Sequence, residues 1–386
     1  MNFNSKINEV TLLQGKRLLF VTGTRADYGK LEPLAKAAMK ASFHITFFIT
    51  GMHMMKRYGE TRLEVKRFPN ADFFEYVNQK EGDTLDFILS KTMLGFSDFL
   101  NEHRPDLVVI HGDRVEALAA SIVCALNNIP SAHVEGGEVS GTIDESIRHC
   151  NTKLCTTHFV SSDIARQRVL ALGEASCRVF NIGSPELDMH MQPSGVSIYE
   201  VKSHYQIPFE DYGIVIFHPV TSELDTIESQ AVDLFSALEA TNKSFVVIAP
   251  NNDPGTDKIF SVIENLPSNR FRIIPSMRFN YFSELMKNAS IMVGNSSAGV
   301  REAPFIGLVS IDIGTRQNNR ALAPSVLSYK SGGMSNLKSM IDSHWGRRQM
   351  PDYSFGSGLA SDKFVQVLSD PNFWKIGLQK EFSSQS

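Results

Sequence analysis

Three acidic residues stand in short polar segments next to apolar runs. Asp113 follows DLVVIHG, Glu135 follows SAHV, and Asp144 lies in the segment TIDESIRH. Carboxylates that lie close together raise one another's pKa, so one can hold a proton at neutral pH while another accepts one. We therefore expect Asp113, Glu135 and Asp144 to act as acid and base catalysts, with the role of each left open.

Two other interpretations of these acidic residues remain open. Charged groups at strand ends need partners, and Arg114 and Arg148 are placed to form a structural ion-pair network with them. His111 and His133 stand in the same segments and are suitable metal ligands. The sequence has no HExxH or other dense spacing of ligands, so we prefer acid–base chemistry and expect no metal.

A second segment, GNSSAGVRE at 294–302, is suited to binding a nucleotide. It ends a predicted strand and opens a predicted helix over Ala298–Ile306, whose N-terminus attracts anions. The hydroxyls of Ser296 and Ser297 can donate to phosphate oxygens, and Glu302 can accept both hydroxyl protons of a ribose. The alternative for Ser296 is an ordinary helix cap.

Four more polar side chains follow predicted strands and are candidates for ligand contacts, each with a structural role as the alternative: Arg25, His218, Asn251 and Arg316. The first lies in TGTRADYGK, which resembles a P-loop but has five residues between its glycines and Leu31 after its lysine. The sequence therefore gives little support for ATP hydrolysis. The sequence also has no GxGxxG after a strand, which disfavours a dinucleotide cofactor.

The elements that position these residues are apolar strands, which alternate along the sequence with helical patterns. Continuous apolar strands between helices predict parallel sheets covered on both faces, and such sheets bind ligands beyond the C-terminal ends of their strands. The segment QPSGVS at 192–197 is typical of a linker, and the alternation restarts at Gly213. We predict two doubly wound, Rossmann-like α/β domains with a cleft between them.

We place the N-terminal domain at 1–192 and the C-terminal domain at 193–360. A last helix in 361–386 belongs to either domain and is able to pack back on the first.

Composition excludes several classes of protein. The 386 residues carry 38 Lys and Arg against 42 Asp and Glu, so there is no basic excess for nucleic acid or an anionic membrane. No apolar run approaches the roughly 18–20 residues of a membrane span, and the polar N-terminus predicts a cytoplasmic protein. The four cysteines form no CxxC pair, so we expect reduced core thiols.

Together these segments resemble the UDP-N-acetylglucosamine 2-epimerases, in particular the hydrolysing, sialic-acid branch. From residue 21 to about 320 they follow the family order TGTRADYGK, TGMHMMKRYG, HGDR, HVEGGEVSGTIDESIRH, GSPELD, FHPVT, PNND, GNSSAGVRE and GTRQ. The resemblance implies the two-domain GT-B architecture, with the nucleotide held mainly by the C-terminal domain. It gives no role to residues 1–14.

The resemblance also implies site residues. Asp113, Glu135 and Asp144 match the family's essential carboxylates, and Arg25 and Arg114 contact the ligand from the N-terminal domain. The residues implied to hold UDP are His218, Asn251, Ser296, Ser297, Glu302 on the ribose, and Arg316. His218 is also expected to stabilise the charge that develops as UDP departs.

The implied reaction converts UDP-N-acetylglucosamine and water into N-acetylmannosamine and UDP, the first step of sialic acid biosynthesis for capsule polysaccharide. It proceeds by anti elimination to 2-acetamidoglucal and then hydration, and it needs no cofactor. The expected partners are this substrate and UDP. The expected assembly is a homodimer or a pair of dimers.

Other functions share many of these motifs. A related branch acts on a 2,4-diacetamido-trideoxy sugar nucleotide of the legionaminic acid pathway, although AGVREAP at 298–304 looks more like the N-acetylglucosamine branch. The rivals outside the family are a GT-B glycosyltransferase, a nucleotide-sugar sensor and a metallohydrolase, since a fold does not fix a function.

Overall fold

The computed structural model describes residues 15–140, 143–251, 253–320, 323–330 and 333–384. Residues 1–14, to which the sequence gives no role, lie outside the described part. So do 141–142 and Asn252, which fall within two of the motifs.

The chain forms two compact units. Unit 1 comprises Met1–Glu138, Asp144–Asp188 and Gly356–Ser386, and unit 2 comprises Val139–Ile143 and Met189–Phe355. The boundaries between the units after Asp188 and after Phe355 lie four or five residues before the bounds of 192 and 360 that the sequence suggests.

Each unit is built on one sheet. The strands of unit 1 are β1 (Arg17–Thr22), β2 (His44–Ile49), β3 (Asp72–Glu75), β4 (Leu107–His111), β5 (Ser131–Val134), β6 (Thr157–Val160) and β7 (Val179–Asn181). The strands of unit 2 are β8 (Gly213–Ile216), β9 (Phe245–Ile248), β10 (Phe271–Ile274), β11 (Ile291–Gly294), β12 (Ser310–Ile313) and β13 (Val326–Tyr329).

The helices that the structure describes are α1 (Arg25–Lys40), α2 (Arg62–Val65), α3 (Leu85–Glu102), α4 (Val115–Leu126), α5 (Ile143–Leu154), α6 (Asp163–Ala171), α7 (Glu186–Met191), α8 (Ile198–Tyr205), α9 (Ile227–Ala240), α10 (Thr256–Ile263), α11 (Phe279–Asn288), α12 (Ser297–Val300), α13 (Glu302–Phe305), α14 (Gly333–His344) and α15 (Ala360–Leu368). None of them has the length and apolar composition needed to cross a bilayer.

Both sheets have the doubly wound strand order. Unit 1 has the order β3-β2-β1-β4-β5-β6-β7 and unit 2 the order β10-β9-β8-β11-β12-β13, and every pair of strands is parallel. Strands such as β4, β8 and β9 are almost wholly apolar, without alternation, because helices cover both faces of each sheet. The predicted pair of parallel α/β domains is confirmed.

The core of unit 1 lies on both faces of its sheet, and the C-terminal helix contributes to one of them. Phe364 of α15 packs edge-on against Phe159 of β6, with ring centroids 4.8 Å apart. Trp374 stacks on Phe43 at 6.1 Å. Helix α15 is therefore part of unit 1, although it follows the whole of unit 2 in the chain.

Several predicted details are wrong. The sequence pattern did not reveal β3, β6 or β13, which are four-residue strands with mixed polarity. Two of the four cysteines, Cys150 and Cys177, are exposed rather than in the core.

The helix expected over Ala298–Ile306 is also wrong. Two four-residue helices, α12 and α13, take its place, and the break lies at Arg301 with φ −119° and ψ −59°. Pro304 explains the break, because it has no N–H to donate to the carbonyl of Val300. Helix dipoles grow with length, so α12 offers a weaker N-terminus than the sequence suggests.

Candidate active site

In each unit, some of the candidate residues lie where the strand order of the sheet reverses. In unit 1 this point is between β1, which is followed by Arg25, and β4, which is followed by Asp113. In unit 2 it is between β8, which precedes His218, and β11, which precedes Asn295. Doubly wound sheets bind ligands in the crevice outside the strand ends at this point.

Glu135 directly follows β5 in an unusual backbone conformation, and three side chains lie against its carboxylate. Its φ is +64°, in the left-handed region, which destabilises a non-glycine residue by roughly 1–2 kcal/mol. Lys30 donates to its Oε2 at 3.0 Å, and Ser184 donates to its Oε1 at 2.9 Å. Nε2 of His111 lies 3.2 Å from the same Oε2. Strain of this kind is concentrated at functional sites.

A second buried carboxylate shares these partners. Lys30 Nζ lies 3.5 Å from Glu186 Oε1, and the Ser184 hydroxyl lies 2.7 Å from Glu186 Oε2. The serine has a single proton, so it donates to one carboxylate at a time. Two acidic groups, one lysine and the imidazole of His111 therefore meet in one place, which suits the cluster to holding and releasing a proton.

Asp113 forms an ion pair with Arg148, whose guanidinium also donates to the carbonyl of Glu138 at 3.3 Å. The arginine side chain is 4% exposed and the aspartate 25% exposed. Asp113 therefore takes part in an ion pair, as the second interpretation of the sequence expects, and its carboxylate is still partly exposed to solvent. Asp144 lies in the first turn of α5, four residues before Arg148, so the two residues share one helix face.

The other two basic candidates of unit 1 also have acidic partners. Arg25 forms an ion pair with Glu64, and Nε of Arg114 lies 3.4 Å from the buried Glu116. Burial, with the nearby charge of Arg25, lowers the pKa of His53 to about 3. His53 is therefore neutral, and its Nε2 lies 2.9 Å from the Thr22 hydroxyl at the end of β1.

In unit 2 the candidate His218 is held by two asparagines. Asn295 Oδ1 accepts from the His218 backbone N–H at 2.7 Å, and Nδ2 donates to the His218 carbonyl at 2.8 Å. The backbone N–H of Asn251 donates to His218 Nδ1 at 3.1 Å. Since Nδ1 accepts, the ring proton is on Nε2, which makes the imidazole a donor toward a ligand.

The arginine after β12 joins the same group. Arg316 Nη1 donates to the Asn295 carbonyl at 3.3 Å, and the amide of Gln317 donates to it at 2.8 Å. Burial raises the pKa of Asp312 in β12 to about 6, although the positive charges of Arg320 and Arg316 act to lower it. The structure thus brings His218, Asn251 and Arg316 together around Asn295.

In the GNSSAGVRE segment, Ser296 and Glu302 form contacts within the protein that the nucleotide-binding prediction does not include. Ser296 caps α12, its Oγ accepting from the Ala298 N–H at 3.4 Å, so the capping alternative describes it. Ser297 is half-buried next to it. Glu302 is 5% exposed, and its Oε1 accepts from Nε2 of His190 at 3.1 Å.

Comparison with known proteins decides the family. The sequence profile described as UDP-N-acetylglucosamine 2-epimerase matches residues 36–369. This chain belongs to the UDP-N-acetylglucosamine 2-epimerase family.

Relatives of this epimerase family cover nearly the whole chain. A UDP-N-acetylglucosamine 2-epimerase of Neisseria meningitidis is 41% identical over 95% of this chain and 98% of its own length. A hydrolysing UDP-N,N'-diacetylbacillosamine 2-epimerase of Legionella pneumophila is 34% identical over 92% and 95%. The fold is that of the Methanocaldococcus jannaschii UDP-GlcNAc 2-epimerase solved with UDP-GlcNAc and UDP, with a TM-score of 0.77, 21% identity, and coverage of 92% and 99%.

Several residues that contact the candidates within each unit were not predicted, among them Lys30, Asn295 and His190. The first two lie inside the quoted motifs TGTRADYGK and GNSSAGVRE, where their neighbours were chosen instead. His190 follows GSPELD at a distance of two residues, and nothing in its spacing points to Glu302. Among the described residues, no three His, Cys, Asp or Glu side chains are grouped so as to hold a metal ion.

Proposed function

We propose that this chain hydrolyses UDP-N-acetylglucosamine to N-acetylmannosamine and UDP with inversion at C2 of the sugar, as the first step of sialic acid biosynthesis. The observation that carries this proposal is the way Lys30 and Ser184 hold the strained Glu135 among other acidic groups. The similarity to a hydrolysing relative supports release of UDP rather than of an epimerised nucleotide sugar.

The first stage is an elimination. The bond between C1 and the diphosphate oxygen breaks, one of the carboxylates Asp113, Glu135 and Asp144 takes the C2 proton, and 2-acetamidoglucal forms. His218, which carries its ring proton on Nε2, donates a hydrogen bond to the departing diphosphate. The hydroxyls of Ser296 and Ser297 donate further hydrogen bonds to the diphosphate, and the guanidinium of Arg316 offsets part of its negative charge.

The second stage is a hydration. Water adds its hydroxyl to C1, and a proton returns to C2 on the face opposite to the one that lost it. Two proton transfers on opposite faces require at least two proton-handling groups. Unit 1 supplies three candidate carboxylates with different surroundings: Glu135 beside a lysine, Asp113 beside an arginine, and Asp144 at the start of a helix.

Product NMR after incubation with UDP-N-acetylglucosamine in heavy water tests the proposal. We expect UDP and N-acetylmannosamine with deuterium at C2. A product that keeps its C2 hydrogen from the substrate rules out the elimination, and UDP-N-acetylmannosamine as the end product identifies a non-hydrolysing enzyme. Measurement without any acceptor sugar also separates this activity from glycosyl transfer.

A matched pair of variants separates the two proposed roles. Asp144→Asn removes a carboxylate from unit 1, so we expect turnover to fall by at least about 100-fold with the UDP dissociation constant unchanged. Ser297→Ala removes a phosphate donor from unit 2, so we expect UDP binding to weaken by about 10-fold. Wild-type turnover in Asp144→Asn excludes Asp144 from catalysis.

The second candidate substrate is the 2,4-diacetamido sugar nucleotide, which the 34% identity to the Legionella relative favours. Parallel measurement of kcat/KM with this nucleotide and with UDP-N-acetylglucosamine decides between them, and we expect the latter to be preferred. The proposed homodimer is tested by sedimentation velocity of the full chain.

A further inference from the structure

The carboxylate of Glu302 is oriented by a histidine. Nε2 of His190 lies 3.1 Å from Glu302 Oε1, and both residues are 5% exposed. Within the described part of the chain, Oε2 of Glu302 makes no hydrogen bond. One oxygen is thus fixed by the protein while the other keeps its capacity to accept.

A serine completes this arrangement on the other side of the imidazole. Ser283 Oγ lies 2.9 Å from His190 Nδ1. A carboxylate is an acceptor only, so the ring nitrogen that faces Glu302 must carry a proton, and in the neutral ring the Ser283 hydroxyl then donates to Nδ1. The series Ser283, His190 and Glu302 therefore fixes both the ring orientation and its proton position.

The packing around the ring keeps it in place. The imidazole contacts the rings of Phe279 and Phe305 at centroid distances of 5.6 and 6.4 Å. The order hydroxyl, imidazole and carboxylate is that of a hydrolase triad, but Ser283 is fully buried, so no substrate reaches its hydroxyl. The arrangement thus orients Glu302 and does not provide a nucleophile.

We propose that His190 is a positioning residue for ribose recognition: it holds Glu302 Oε1, so that the carboxylate presents Oε2 to the hydroxyls of the nucleotide's ribose. The proposal rests on the proposed function, in which Glu302 binds the ribose of UDP. A carboxylate that is free to rotate must be ordered on binding, and a held carboxylate avoids that loss.

The experiment measures the dissociation constants of UDP and of 2′-deoxy-UDP by calorimetry for the wild type and two variants. In His190→Asn the amide occupies the place of Nδ1 and does not reach Glu302, whereas in His190→Gln it occupies the place of Nε2. We expect His190→Asn to weaken UDP about 10-fold and 2′-deoxy-UDP less than about 2-fold. His190→Gln should restore UDP binding to within about 3-fold of the wild type.

Other outcomes overturn the proposal in distinguishable ways. Equal weakening of both nucleotides by His190→Asn shows a general structural role and excludes ribose positioning. A wild-type ratio of the two affinities in Glu302→Gln excludes the ribose contact itself. If the wild-type chain binds neither nucleotide, the proposed function fails before His190 is tested. Should His190→Asn not fold, Ser283→Ala replaces it, with an expected loss of about 3-fold for UDP alone.

Discussion

The side-chain amide of Asn295 forms two hydrogen bonds with the backbone of His218, one with its N–H at 2.7 Å and one with its carbonyl at 2.8 Å. Asn295 is 1% exposed, and its own carbonyl accepts from the loop after β12. A single residue at the end of β11 therefore positions the ends of two neighbouring strands, on which the nucleotide-binding candidates lie.

The variant Asn295→Asp tests this role. In this variant a carboxylate oxygen replaces Nδ2, the donor to the His218 carbonyl. Two hydrogen-bond acceptors, the new oxygen and the carbonyl, then face each other in a buried place. We expect the free energy of unfolding to fall by about 2–3 kcal/mol in urea titrations and UDP to bind at least about 10-fold more weakly. The exposed Asn101→Asp is the control, with an expected change below about 0.5 kcal/mol. Wild-type UDP affinity in Asn295→Asp would contradict the role.

Substitution of Arg148 tests whether its ion pair with Asp113 matters for catalysis as well as for stability. Arg148→Met removes the guanidinium that pairs with Asp113 and leaves the Glu138 carbonyl without that donor. Because Asp113 is a quarter exposed and keeps some hydration, we expect a loss of only about 1–3 kcal/mol in unfolding free energy.

The same variant should lower kcat while leaving the UDP dissociation constant within about 2-fold, because Asp113 and Glu138, its partners given above, are both in unit 1. The exposed Arg67→Met serves as control for the loss of one positive charge. A variant with wild-type kcat would show that the Asp113 ion pair is structural alone.

Lys380, near the end of the chain, caps the C-terminus of α5. Its ammonium donates to the carbonyls of Thr152, Lys153 and Cys155 at 2.8–2.9 Å and lies 2.7 Å from Glu174. A cation at these free carbonyls also interacts favourably with the helix dipole.

Lys380→Met should therefore lower the free energy of unfolding by about 2–3 kcal/mol, because several buried acceptors lose their donor. Thermal and urea unfolding measure this loss. Lys375→Met, at an exposed lysine five positions earlier, is the matched control and should change it by less than about 0.5 kcal/mol. Equal effects of the two variants would contradict the capping role.

Three buried histidines predict a loss of stability in acid. Burial lowers the pKa of His53 and His133 to about 3 and that of His158 to about 4. The unfolded chain, with ordinary histidine pKa values near 6.5, binds more protons than the folded chain between those limits, so stability falls as the pH falls below about 6.5. Asp312, whose pKa is raised by burial to about 6, acts in the opposite sense between about 6 and 3.8.

A comparison of variants isolates one histidine. His133 Nε2 contacts the Gly112 carbonyl at 2.8 Å, and the amide of His133→Gln can keep that hydrogen bond without titrating. Between pH 5 and 6 we expect the dependence of unfolding free energy on pH to decrease by up to about 1.4 kcal/mol per pH unit in this variant. An unchanged slope would show that His133 is not protonated on unfolding in this range.

The α/β class and the position of the site on each sheet were predictable from the sequence. Continuous apolar strands require cover on both faces, and polar residues that follow parallel strands must share one sheet edge. This reasoning predicts that Asp113 and Glu135 lie at strand ends of the first sheet and His218 at a strand end of the second, as the structure has them. The strands it missed, such as β6, have polar residues that conceal their burial.

What only the tertiary structure decided is the partner of each candidate. Lys30 reaches Glu135 across 105 positions of sequence, and His190 reaches Glu302 across 112. Strand order and packing set such contacts, and neither is encoded in local spacing. Residue types and strand-end positions are local properties that a sequence displays, whereas the pairing of charges and donors across a fold depends on which elements become neighbours.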